Sequence, residues 1–167
     1  MSDIGPLTEF GMVLARLGSA AVIGGIIGLN REMHGKPAGL RTLALVSLGS
    51  ALATHLSIEV TLSSKVAAAD LGAVTRVIQG ILTGIGFLGA GVIFRGSDGA
   101  QVTGLTTAAT IWVVACLGMA CGAGRWQLVI AASVITLLIL TIGGPFEKRA
   151  DALLRRGRHK RETAELP

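Results

Sequence analysis

Charge is what this sequence has least of. Aspartate, glutamate, lysine and arginine make up 15% of its 167 residues, against roughly 25% in ordinary globular domains. A compact chain of this size needs more charge than that to cover its surface in water, so a soluble domain is excluded. Cysteine is nearly absent too. Cys116 and Cys121 lie five apart on one apolar run, where they cannot meet, and they read as two small packing residues rather than a disulfide. No C-x-x-C or H-E-x-x-H spacing occurs, and the three histidines are scattered at His34, His55 and His159. No metal site or cofactor is therefore expected, and without a nucleophile–base pair no enzyme is expected either. Finally, no Lys or Arg precedes Arg16. Lacking a positive n-region, the first apolar run is not a cleavable signal peptide and should remain as a helix.

What is present is grease and glycine. The chain is 51% hydrophobic with 24 glycines, and its mean hydropathy is +0.67. Segments of about 20 apolar residues are long enough to span a bilayer, and five emerge: Leu7–Leu29, Leu40–Val60, Val74–Phe94, Val102–Cys121 and Gln127–Ile142. The expected fold is all-α, a polytopic bundle of about five transmembrane helices over residues 1–145, followed by a basic tail at 146–167. Basic residues in short loops set orientation. Placing the C-terminus in the cytoplasm puts Arg31, Lys36, Arg41, Arg95 and the seven cations of the tail inside. Lys65, Arg76 and Arg125 then lie outside, balanced by Asp3, Glu9, Glu59 and Asp70. The N-terminus is thus expected out and the C-terminus in, with the lipid bilayer as the main partner and no nucleic acid.

Gly84-Ile-Gly86-Phe-Leu-Gly89 satisfies G-x-G-x-x-G, the opening of a dinucleotide-binding fold. That fold needs a strand before the glycines and an acid about 20 residues on. Here the glycines sit inside an apolar run, and the next acid, Asp98, comes too soon. Packing is the better reading, because small residues let helices approach closely in lipid. At about 100° per residue, Gly80, Gly84 and Gly91 share one arc, with Gly86 and Gly89 nearly opposite. A helix small on two faces is expected to be central and hidden from lipid. On the first helix Ala21, Gly25 and Gly28 form a similar stripe. A homo-oligomer and other membrane proteins are candidate partners for these faces.

Several polar residues lie where lipid makes them costly. Arg16 either snorkels outward or pairs with Asp70 or Glu59. Asp70, Arg76 and Gln79 cluster at the start of the third helix, as an ion pair and anchor or as the lining of a polar cavity. Since Arg76 shares the arc of Gly80 and Gly84, it is expected to face protein. At the other end, "GLNREMHGKPAGLRT" places Asn30, Arg31 and Glu32 beside Arg41. Glu32 is expected to pair with Arg41 across a reversal at Pro37-Ala38-Gly39, leaving Arg31 for lipid phosphate. Thr103, Thr106, Thr107 and Thr110 recur at helical spacing and predict one hydroxyl-bearing side, most of it bonded back to the helix. Trp126 reads as an interface anchor and Trp112 as packing, while His55 is a structural or proton-carrying histidine. The basic tail suits an anionic leaflet, at about 1 kcal/mol per cation, or a protein partner.

Three blocks together resemble the MgtC/SapB family of bacterial inner-membrane proteins: "IGLNREMHGKPAGLRTLALVSLGSAL" at 27–52, "TRVIQGILTGIGFLGAGVIFR" at 75–95, and "VTGLTTAATIWVVACLGMACGAG" at 102–124. The family pattern often has Glu where this chain has Asn30, so an acidic pair with Glu32 is missing. Longer members carry a soluble C-terminal domain for which this chain is expected to have no room. The resemblance implies a role in growth at low magnesium and, in some pathogens, survival inside macrophages. It implies regulation of membrane partners, the rotary ATP synthase among them, rather than carriage of Mg²⁺. Transport of Mg²⁺, protons or a small solute is the alternative, with Arg16, Asp70, Arg76 and Gln79 as an outer vestibule and Glu32 and Arg41 as an inner gate.

Overall fold

A computed structural model describes residues 6–63, 71–95 and 102–143. Asp70, Asp98 and the basic tail, on which several expectations fall, lie outside the described residues. Helix α1 spans Pro6–Met33, α2 Leu40–Ser63, α3 Leu71–Gly91 and α4 Leu105–Gly122, and α5 spans Trp126–Gly143. All five are long and apolar enough to cross a membrane. Lipid offers no partner to backbone N–H and C=O groups, so apolar spans must satisfy them internally, which a helix does.

The chain forms two compact units, residues 1–133 and 134–167. In the second, the described residues are 134–143, the last part of α5. In the first, α1 packs on α2 and α4, α2 on α4, and α3 on α2 and α4. The core is built from small side chains: Ala20, Ala51, Ala120, Cys121 and Val129 cluster, with Ile27, Leu43, Ile111 and Val114 fully enclosed. Both cysteines are free, as their spacing requires.

Local sequence sets the ends. Proline opens α1, where its missing N–H costs nothing. Its C-terminus closes on left-handed Gly35 (φ 62°), whose N–H donates to Glu32 O at 3.0 Å while Lys36 N–H reaches Arg31 O at 3.0 Å. This is the usual glycine stop. The second positive φ in the reversal falls on Ala38 (60°) and not on Gly39.

The third apolar run does not stay helical to Phe94. Helix α3 stops at Gly91, and β1 (Phe94–Arg95) pairs antiparallel with β2 (Val102–Thr103). Phe94 stands opposite Thr103 and Arg95 opposite Val102. Gly104 then turns the chain into α4 with φ 91°. A β-carbon there would lie 2.8 Å from Val92 C, so the turn requires glycine for both its angle and its space.

The placement of α3 corrects the sequence reading. It is not a central helix. Phe87 is 81% exposed, and Gly80, Gly84, Gly86 and Gly91 face outward. A β-carbon on any of those four glycines would meet nothing within 4 Å, and of the GIGFLGAG glycines Gly89 alone touches a neighbour, with its β-carbon position 3.6 Å from Ala108 Cβ. Periodicity defined the two glycine faces of α3 but could not say that Gly89 alone of these glycines would be in contact with a neighbouring helix.

Candidate functional site

Helices cross most closely at two other glycine pairs. Gly24 and Gly28 carry α1 onto α2. A β-carbon at Gly28 would come 2.6 Å from Gly39 O and 2.7 Å from Leu40 Cα, and one at Gly24 would come 2.7 Å from Ser47 Cβ. Gly118 and Gly122 carry α4 onto α2, where added β-carbons would stand 2.9 Å from Ser47 C and 3.0 Å from Ala51 C, and closer still to the carbonyl oxygens. Gly25 makes only ordinary contact, 3.9 Å from Ala44 Cβ. Gly24/Gly28, Gly118/Gly122 and Gly80/Gly84 are all G-x-x-x-G pairs. The first two are seated within the chain. The third is open.

At one end of the packed helices, α1 reaches the turn between α4 and α5. Arg16 Nη1 lies 3.1 Å from His55 Nδ1 and donates to Gly122 O at 3.2 Å. A guanidinium only donates, so Nδ1 accepts and the ring proton sits on Nε2. That nitrogen is 3.2 Å from Glu59 Oε1, off the N–H axis, and makes no hydrogen bond. Gly124, at φ 69°, leaves the room the guanidinium occupies, since a β-carbon there would be 3.2 Å from Arg16 Nη2. Gly122 O belongs to the last turn of α4, where carbonyls lack helical partners and a cation is favoured. Arg16 therefore neither snorkels nor meets Glu59 directly; it caps α4 and holds His55. Arg76 is exposed and folds back along α3, its Nη1 3.3 Å from the β-carbon position of Gly72. Gln79 is exposed as well.

At the opposite end the expected pairing is also replaced. Glu32 Oε2 accepts the N–H of Leu40, the first residue of α2, at 3.1 Å, and Arg41 is exposed, with no ion pair among the described residues. The carboxylate satisfies an orphan donor at a helix N-terminus, where negative charge is favoured. Gly39 makes room for it, because a β-carbon there would stand 2.6 Å from Oε2. Asn30 contributes its carbonyl, 2.7 Å from His34 Nδ1.

Arg31 is not turned toward lipid. It is 4% exposed, and its Nη2 donates to Thr107 Oγ1 on α4. Its Nε is buried without a partner. The hydroxyl stripe is correspondingly divided. Thr103 lies on β2 and Thr106 is exposed, so only Thr107 and Thr110 face the core. Thr110 bonds back to Thr106 O at 2.7 Å. Trp112 is 49% exposed, so only about half of it packs within the chain, and Trp126 is also partly exposed at the start of α5.

Sequence reasoning missed Gly24, Gly122 and the role of His55 as acceptor for Arg16. The G-x-x-x-G spacing was the available signal for the glycines. For His55 there was none, since its partner is 39 residues away.

Five helices long and apolar enough to cross a membrane, with α1, α2 and α4 seated on one another through small residues and polar side chains capping helix ends, define an all-α polytopic membrane protein. The chain belongs to the MgtC family, whose model matches residues 17–149. It is 46% identical over 132 residues to Protein SrpB of Synechococcus elongatus, covering 75% of this chain and 71% of that one. It is 41% identical over 136 residues to the putative magnesium transporter YhiD of Escherichia coli K12 (77% and 59%). It is 42% identical over 128 residues to Protein MgtC of Brucella abortus (77% and 48%). The chain thus spans about half to three-fifths of the length of the latter two. No solved structure matches it.

Proposed function

We propose that this chain is a non-enzymatic regulator of membrane ion or energy homeostasis under magnesium limitation, and that it acts by helix–helix contact in the bacterial inner membrane. The magnesium link is supported by the name of its YhiD relative. The contact is supported by the open G-x-x-x-G pair. Gly80 and Gly84 line a groove of about 390 Å³ with Gly49, Ser50, Leu45 and Leu88 between α2 and α3. In lipid, glycines on both walls suit the close seating of one further apolar helix. The occupant is a membrane helix of another protein.

Transport of Mg²⁺ is less well supported. Such an ion is usually held by one or two carboxylates with retained waters. Among the described residues no three ligating side chains gather, and Glu32, bonded at the start of α2, and Glu59, beside His55 toward its other end, are separated by about 28 Å at 1.5 Å per residue. The loop cations favour a cytoplasmic side for the Arg31–Arg41 turn. A cysteine at Lys36 should react with a membrane-impermeant maleimide only after cells are opened.

Gly84→Leu is the decisive variant. Its β-carbon would meet nothing within 4 Å in the isolated chain, so folding should survive while growth at limiting magnesium falls to that of a strain lacking the protein. Full growth with Gly84→Leu would refute contact through the groove. Mg²⁺ or proton flux into liposomes holding the purified protein, lost in Glu32→Gln, would favour transport instead.

A further inference from the structure

Arg31 carries a charge that the described chain does not answer. Nη2 donates to the neutral hydroxyl of Thr107, Nε is buried and unpartnered, and no carboxylate of the described residues faces the group. Glu32, its sequence neighbour, is turned to Leu40 N–H. Glu59 lies beside His55 at the far end, and Glu9 is in the first turn of α1. Taking a cation out of water costs several kcal/mol unless a partner anion and further hydrogen bonds offset it. A hydroxyl offsets little of this. The last turn of α1 contributes a favourable dipole, of about 0.3–1 kcal/mol at an exposed site, which is also too small.

A second feature stands at the same place. Thr107 is the third residue of α4, and α4 opens without a side-chain cap because its N-cap is Gly104. Its first intrahelical bond is Ala108 N–H to Gly104 O at 2.9 Å, which leaves the N–H groups of Leu105, Thr106 and Thr107 as the orphan donors of the first turn. An uncapped N-terminus concentrates partial positive charge, and its amides point at whatever lies before it. Here the buried guanidinium is brought against that same turn by its bond to Thr107. Two sources of positive charge converge, with donors on both that have no hydrogen-bond partner among the described residues.

We propose that the end of α4 and Arg31 form a binding site for a phosphate-class oxyanion. The guanidinium supplies charge-assisted bonds, the first-turn amides of α4 supply neutral ones, and the oxygens of a tetrahedral anion can accept from both sets. The phosphate is either that of a lipid headgroup, since helix ends lie where spans leave the hydrocarbon, or a free one. The site is separate from the α2–α3 groove and does not depend on the regulatory reading.

The test uses the full chain in maltoside micelles free of lipid, at constant ionic strength set with chloride. Thermal unfolding is followed while inorganic phosphate, or short-chain phosphatidylglycerol, is titrated. A ligand that binds only the folded state raises the midpoint and keeps raising it above its Kd. A rise with phosphate alone assigns the free anion, and a rise with the lipid alone assigns the headgroup. Either response should weaken roughly 10- to 100-fold in Arg31→Gln, as loss of charged hydrogen bonds implies, and partly recover in Arg31→Lys. The wild-type titration is decisive by itself should Arg31→Gln fail to fold: no response to either probe overturns the proposal. So does a response unchanged in Arg31→Gln. If neither probe acts and Asp98→Asn lowers the midpoint as much as Arg31→Gln does, an internal carboxylate answers the guanidinium, and there is no ligand site.

Discussion

Gly118→Ala should loosen the packed helices. The new β-carbon would sit 2.9 Å from both C and Cα of Ser47 and closer to its carbonyl oxygen. Carbon atoms rest about 3.5–4.0 Å apart, so α4 and α2 must separate by roughly 0.6–1.1 Å. The atoms in the way are backbone atoms of a helix and cannot rotate aside. Gly122 meets Ala51 in the same manner one turn on, so the shift opens the whole seam. Overpacking of this kind costs about 1–3 kcal/mol. The helix preference for Ala over Gly returns about 0.5–1 kcal/mol, leaving a net loss near 1–2 kcal/mol, or about a tenfold change in the folded ratio. Trp112 and Trp126 give a fluorescence signal for unfolding titrations in mixed micelles. Gly80→Ala is the matched control, since nothing lies within 4 Å of its β-carbon position, and it should be neutral or mildly stabilising. Equal stability of Gly118→Ala and wild type, with Gly80→Ala the weaker protein, would refute this account of the packing.

Two further outcomes follow from the capped helix ends. Arg16→Gln leaves Gly122 O and His55 Nδ1 without their charged donor and should cost about 1.5–3 kcal/mol. Arg16→Lys should recover only part, because Nη1, which meets both acceptors, lies one bond further from the backbone than a lysine ammonium; equal midpoints for all three proteins in the same titration would show the bonds to be idle. Glu32→Ala should lose about 1 kcal/mol, the usual value of a helix N-terminal cap, with hydrogen exchange accelerated first at Leu40 and its neighbours. Unchanged exchange there would show that α2 does not need the carboxylate.

The particular residues show what sequence alone can carry. Each span boundary was legible to within a few residues, because the demand that lipid places on backbone groups is local and uniform. Phe94 is the exception that explains the rule: it continues an apolar run, yet Gly91 and the pairing of Phe94 with Thr103 end the helix before it. Three G-x-x-x-G pairs look alike in sequence. Nothing in their spacing says that 24/28 and 118/122 press on backbone while 80/84 meets no neighbouring atom.

Lipid as solvent, an all-helical chain and glycine-lined faces were determined by the sequence itself, since each depends only on how apolar and how small a residue is. Which faces meet, and where each charge points, was decided by tertiary structure. Arg16 finds Gly122 across 106 residues and Arg31 finds Thr107 across 76, while Glu32 reaches Leu40 in place of the more obvious Arg41. Periodicity assigns a residue to a side of its own helix. It carries no information on which other helix, if any, will come to lie there.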